Sequence, residues 1–145
     1  MQPFSLSFEP PSHGWLPVRM EASGRIVEFT ASDVPNNPIA ELCEALFCLA
    51  RGEPAAVWWH LEPGSYLLHL EPNKAAVSVR LHFTPGSKRT AEEEVLSVIA
   101  PANQVLLVLW RFLRRFESSS FEEPHWPKGG LAGLEALGRR IKAEA

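Results

Sequence analysis

The stretch Val57–Phe83, VWWHLEPGSYLLHLEPNKAAVSVRLHF, decides the fold. It contains three runs in which apolar and polar side chains alternate with the period of two that marks a half-buried strand. Two proline-containing turns, Glu62-Pro63-Gly64-Ser65 and Glu71-Pro72-Asn73-Lys74, separate the runs. Read as two-residue loops, these turns place Trp59 opposite Leu68, Val57 opposite Leu70, Leu68 opposite Val77 and Tyr66 opposite Val79. Leu81 and Phe83 extend the same face, every member of which is apolar or Tyr66. The other face carries Trp58, His60, Glu62, Leu67, His69, Glu71, Ser78, Arg80 and His82. The expected unit is a three-stranded antiparallel meander with one buried face.

The chain before this stretch yields a second sheet segment and a helix. Phe4, Leu6 and Phe8 alternate with Ser5 and Ser7. Trp15–Ala22 and Arg25–Thr30 flank Ser23-Gly24, a two-residue hairpin turn that puts Met20 opposite Val27, Val18 opposite Phe29 and Leu16 opposite Ala31. Arg19 then meets Glu28 on the polar face, an opposite-charge pair consistent with that register. Asn37 and Pro38 form a cap and first helical position. A stripe of Ile39, Leu42, Cys43, Leu46, Leu49 and Ala50 follows, with Glu41, Glu44 and Arg51 opposite and Gly52 as the terminating glycine.

Beyond the meander, Val95–Ala100 reads as a further strand. Pro101 opens a long helix to about Glu117 that is apolar nearly all round, from Val105 to Phe116. Such a helix is mostly buried. Trp126, in the loop Ser118–Gly130, is expected to pin that loop to the core. Leu131, Leu134, Leu137 and Ile141 mark a short terminal helix, weakened by Gly133 and Gly138 at about 1 kcal/mol each relative to Ala. The element order is β(2–3)-α-β(3–4)-α-α. The fold class is therefore α+β, with a largely antiparallel sheet and the long helix packed on it, over residues 1–145 as a single domain.

Charge and cysteine usage exclude several function classes. The net charge is −3, and its distribution is uneven: residues 1–72 hold 3 basic and 9 acidic side chains, residues 73–145 hold 11 and 8. A strongly basic footprint for nucleic acid is missing, whereas a split charge suits steering of a charged protein partner. The longest strongly apolar run, Val105–Trp110, is far short of the roughly 20 residues of a membrane span. No positively charged start followed by an apolar stretch appears in the first thirty residues, so a secretory signal is not expected. Cys43 and Cys48 point to different helix faces, so two reduced, packed thiols in the cytoplasm are expected.

Motifs for chemistry are scarce. GxSxG, HExxH and dinucleotide-fingerprint patterns are missing, neither cysteine neighbours a histidine, and no cofactor or zinc-ligand spacing is implied. Pro85-Gly86-Ser87-Lys88-Arg89-Thr90 has the composition of a small anion-binding loop but opens no clear helix, and reads as a solvated tip. The candidate site is the outer face of the meander. There Trp58, His60, Glu62, His69 and Arg80 form a recognition surface with Trp and Arg as anchors. In the expected register Trp58 faces His69, and His60 and His69 are diagonal neighbours roughly 7–8 Å apart. His82 lies ~20 Å from His69 at ~3.3 Å per residue, which argues against a three-histidine metal site.

Gly14-Trp15, the loop Ser32-Asp33-Val34-Pro35-Asn36-Asn37-Pro38 and Trp59-His60-Leu61-Glu62-Pro63-Gly64 resemble small uncharacterised bacterial α+β proteins. Some similar proteins serve as immunity proteins, which bind and block a toxin domain. The layout is also similar to Whirly-type single-strand nucleic-acid binders, an activity that the acidic balance before Lys74 counts against. The resemblance transfers no individual residue. The expectation is a non-enzymatic protein-binding module of immunity-like kind, with a homodimer through the same face as a further option. The alternative is a small-ligand or metal-dependent enzyme built on His60, His69 and Glu62.

Overall fold

The structure is a computed structural model that describes residues 3–85, 93–128 and 133–143. Among these residues, seven strands form one antiparallel sheet in sequence order: β1 (Phe4–Phe8), β2 (Trp15–Ala22), β3 (Arg25–Ser32), β4 (Ala55–His60), β5 (Ser65–Asn73), β6 (Ala76–Thr84) and β7 (Glu93–Pro101). The helices are α1 (Pro38–Ala50) between β3 and β4, α2 (Ala102–Ser118) after β7, and α3 (Leu134–Ala143). The α+β class, the element order and the long helix on the sheet agree with the sequence reading.

Local chemistry explains the secure elements. Ser23 and Gly24 both adopt positive φ, 53° and 77°, as a two-residue hairpin turn of matching twist requires. The β2–β3 register is the expected one, with Met20 opposite Val27, Val18 opposite Phe29 and Arg19 opposite Glu28. Asn37 Oδ1 accepts from the amides of Ile39 (2.9 Å) and Ala40 (3.3 Å), satisfying two of the free donors at the start of α1. Cys43 is buried, Cys48 is half-buried, and neither is paired.

The meander departs from expectation in register while keeping its faces. Trp59 lies opposite Tyr66 rather than Leu68, and Leu68 opposite Leu81 rather than Val77. The β4–β5 connection holds four residues, Leu61–Gly64, closed by Leu61 N–H donating to the Gly64 carbonyl at 2.7 Å. Glu62 has φ 56° and its bond to Pro63 is cis. The β5–β6 turn is Lys74-Ala75, not Pro72-Asn73: Asn73 pairs with Ala76 and Pro72 remains in the strand opposite Val77. Pro72 fits there because β4 ends opposite Leu70, so a residue without an N–H has only one neighbouring strand to serve. Both shifts are even-numbered, so every side chain stays on its expected face.

The sheet is nearly two sheets. β3 and β4 share a single pair, Ser32 with His60. Next to it the free edge of β4 is met by side chains: Glu41 Oε1 accepts the Trp58 amide at 3.0 Å, and Asn36 Nδ2 donates to the Trp58 carbonyl at 2.8 Å and to Glu41 Oε2. Asn36 and Glu41 thus stand in for a strand where β3 has diverged. Glu41, on the polar side of α1 in the sequence reading, is half-buried and structural.

α2 fills the concave side. Phe112 packs on Phe8 of β1 (ring centroids 5.0 Å) and on Trp59 of β4 (6.5 Å). From Trp59 the aromatic contacts continue through Phe29 and Tyr66 to Phe83. The far strand β7 curls back to β2 and β3, where Ser23 Oγ donates to the Ser97 carbonyl (3.0 Å) and Arg25 to that of Val95 (3.4 Å). The hairpin tip thereby occupies part of an otherwise open edge. Trp126 is 1% exposed and does anchor its loop.

In α3, Gly138 has a role that the sequence reading missed. A Cβ there would come within 2.3 Å of the Trp110 ring, whose Nε1 donates to the Leu134 carbonyl at 2.8 Å. Leu131 of the expected helix lies outside the described residues. Gly138→Ala should lower stability by roughly 1–3 kcal/mol through overpacking, despite a helix-propensity gain of about 1 kcal/mol; a rise in the urea midpoint would contradict the contact. Glu41→Ala should cost about 1–3 kcal/mol by leaving the Trp58 amide without its acceptor, read as faster hydrogen exchange at that amide.

Candidate functional site

The outer face of β4–β7 is built in cross-strand rows. One row runs Ala56–His69–Arg80–Ser97, and the next Trp58–Leu67–His82–Glu94. A third joins His60, Ser65 and Thr84. Burial varies across these rows. His60 is 3% exposed, and Ser65, Leu67 and Thr84 are also buried. Trp58, His69 and His82 are half-buried, while Arg80 and Glu62 are exposed. The face is therefore neither fully open nor fully covered.

The register shift redraws the histidine geometry. Trp58 faces Leu67, not His69, and its ring lies against His60 at a tilt of 50° with centroids 3.6 Å apart. His60 pairs with Ser65, four positions along β5 from His69, so these two histidines are about 13 Å apart at ~3.3 Å per residue. Glu62 sits in the loop beyond β4 and accepts a long hydrogen bond from Ser32 Oγ at 3.4 Å. His60, His69 and Glu62 therefore do not converge, which removes the basis of the ligand or metal site expected there. Among the described residues, no group of three or more His, Cys, Asp or Glu is placed to hold a metal ion.

His69 and His82, expected ~20 Å apart at ~3.3 Å per residue, instead meet edge to face with centroids 5.0 Å apart. The cause is the Lys74-Ala75 turn, which brings Leu67 opposite His82 and His69 opposite Arg80. His82 Nε2 lies 3.8 Å from the Glu94 carboxylate. His69 Nε2 and His82 Nδ1 are buried without a hydrogen-bond partner among the described residues. Burial pushes the His69 imidazole below its usual value, with His82 and Arg80 adding to the effect and Glu71 opposing it. The geometry is an edge-to-face imidazole pair set between an exposed arginine and a glutamate.

Other candidates are structural. The Cys43 thiol is pushed up by burial, then by Glu117 and Glu44, so it is a poor nucleophile. Glu123 accepts the amides of His125 and Gly14, which hold its carboxyl below the usual range. His125 Nδ1 stands 3.6 Å from Asp33. These contacts tie the loop carrying Trp126 to the start of β2 and the end of β3. Residues 86–90 of the Pro85–Thr90 loop lie outside the described residues. On the outer side of β1–β3, a depression of about 320 Å³ is lined by Ser7, Glu9, Pro17, Arg19, Glu28 and Thr30. No helix among the described residues is long and apolar enough to cross a membrane.

No family model matches the chain, and no curated protein matches it in sequence. Its fold is similar to that of a chain in the CdiA-CT/CdiI toxin and immunity complex from Enterobacter cloacae. That likeness has a TM-score of 0.50 at 12% identity and covers 79% of this chain and 99% of the other. It supports the α+β architecture.

The His69 geometry has a pH signature. An unfolded chain, with a histidine pKa near ~6.5, binds this proton more readily than the fold does. The contribution of neutral His69 is therefore present above about pH 6.5 and shrinks as the pH falls below it. His69→Gln should flatten the acid side of a stability–pH profile, read as urea midpoints between about pH 7 and pH 5. An unchanged slope would show that the proton uptake lies elsewhere.

Proposed function

We propose that the chain is a non-enzymatic protein-binding module of the immunity type, which acts by occupying and blocking a toxin domain. The observation that carries the reading is the likeness of fold to a chain of a toxin and immunity complex. Of the two roles in such a complex, the blocking one suits this chain. Its acidic and basic residues are spread unevenly, and its one buried thiol is poorly nucleophilic. A partner would be held by complementary charge and a few anchors rather than by chemistry on a substrate.

The docking surface in this reading is the outer face around Trp58, His60, Glu62, His69 and Arg80. Arg80 is its exposed centre, with His69 opposite it on the neighbouring strand. The half-buried Trp58 and buried His60, in tilted ring contact, form its floor. Glu62 marks the rim at the end of β4. Cytoplasmic residence and the treatment of residues 1–145 as one domain belong to the same proposal. They are supported by two unpaired cysteines and one continuous apolar core.

The test is recovery of the tagged chain from its native host, with mass spectrometry of what it retains. The reading expects one stoichiometric protein partner. Its affinity should fall at least ~10-fold when Trp58→Ala and Arg80→Ala are combined, as for a pair of interface anchors. A stoichiometric partner that ignores both changes would move the interface off this face. A non-protein ligand in place of a partner would overturn the reading.

A further inference from the structure

The helical side of the molecule carries a second charged surface, independent of the outer sheet face. α2 and α3 pack in opposite chain directions: Arg114 reaches back to Glu135 at 2.8 Å, while Trp110 meets Gly138 and Lys142. In a helix pair of that sense, the residue following each contact residue falls on the same side of the pair. Arg111 follows Trp110, and Arg139 follows Gly138. Both are exposed, and neither has an ion-pair partner among the described residues.

Their surroundings are basic and held in place. Arg114 lies over the Trp110 ring at 5.9 Å and Lys142 Nζ over the same ring at 4.3 Å. Arg115, one turn on from Arg111, lies over Phe8 at 5.0 Å. Cation–π contacts restrain these long side chains and reduce the entropy lost on binding. Only Glu135 forms a described ion pair with a member of the group, and it engages Arg114. Arg111 and Arg139 are left as two guanidinium forks, each shaped to take a carboxylate in bidentate fashion.

We propose that the α2–α3 face around Arg111 and Arg139 docks an acidic protein surface, one that presents clustered carboxylates. The charge pattern favours a protein over a nucleic acid. A nucleic acid extends its negative charge well past a small basic patch. Here it would meet a chain of net charge −3 with nine acidic residues in positions 1–72. A carboxylate patch of limited size meets only the arginines. This inference does not depend on the immunity reading or on the outer sheet face.

The experiment measures fluorescence anisotropy of a labelled polyglutamate peptide and of a single-stranded oligonucleotide of equal charge, titrated with the intact chain in low-salt buffer. The peptide should bind more tightly than the oligonucleotide. Arg111→Glu and Arg139→Glu should each weaken peptide binding at least ~5-fold. Lys74→Glu, which makes the same change of charge at the β5–β6 turn, should alter it less than ~2-fold. Circular dichroism confirms folding of each variant, and Arg111→Gln and Arg139→Gln repeat the test without charge reversal. No peptide binding, equal sensitivity to Lys74→Glu, or tighter binding of the oligonucleotide would each overturn the proposal.

Discussion

Phe112 and Phe29 bridge two half-sheets that the backbone barely joins. β1–β3 and β4–β7 share only the pair Ser32–His60. Phe112, from the helix that fills the concave side, touches Phe8 in one half and Trp59 in the other. Burying a phenylalanine fully is worth about 1.5–3 kcal/mol by area alone, and favourable aromatic pairing adds about 0.5–1.5 kcal/mol. A single backbone hydrogen bond nets about 0.5–1.5 kcal/mol. At this seam the side chains outweigh the ladder. The Asn36 and Glu41 contacts then satisfy Trp58 where the ladder is missing, which lets the sheet bend there with the Trp58 amide and carbonyl still paired.

That bend shapes the surface available for function. It curls β7 back toward the β2–β3 tip and places the helices on one side. The convex side keeps Arg80, and the helical side keeps Arg111 and Arg139. Opposed charged surfaces on one small chain suit recognition of protein partners, in which charge sets orientation and a few anchors supply the affinity. Nothing in this arrangement requires a deep cavity.

Much of this was legible in the sequence, for physical reasons that differ by element. The β2–β3 hairpin could be registered to the residue because Ser23-Gly24 is an unambiguous turn and Arg19–Glu28 confirms the pairing. α1 announced itself through Asn37, Pro38 and Gly52. β4–β6 were placed on the right faces but slid along one another, because Pro63-Gly64 and Pro72-Asn73 imitate two-residue turns. Neither is one: Leu61 and Glu62 enlarge the first loop, and Pro72 sits in a strand with one neighbour. A face survives an even slip, but a site does not. The slip alone hid the His69–His82 contact and falsely assembled His60 with His69. Glu41 and Gly138 were illegible because their partners, the Trp58 amide and the Trp110 ring, are distant in sequence.

Native-state hydrogen exchange on the Phe112→Ala variant tests the central claim most directly. The account predicts that the wild-type amides of β2 and β5 open with one shared free energy. In the variant, those of β1–β3 should open at a lower free energy than those of β5–β6, because the halves have come uncoupled. If both halves lose protection equally and still open together, the direct contacts of Ser32 with His60 and of Phe29 with Trp59 and Tyr66 hold the sheet, and the bridging role given to Phe112 is wrong.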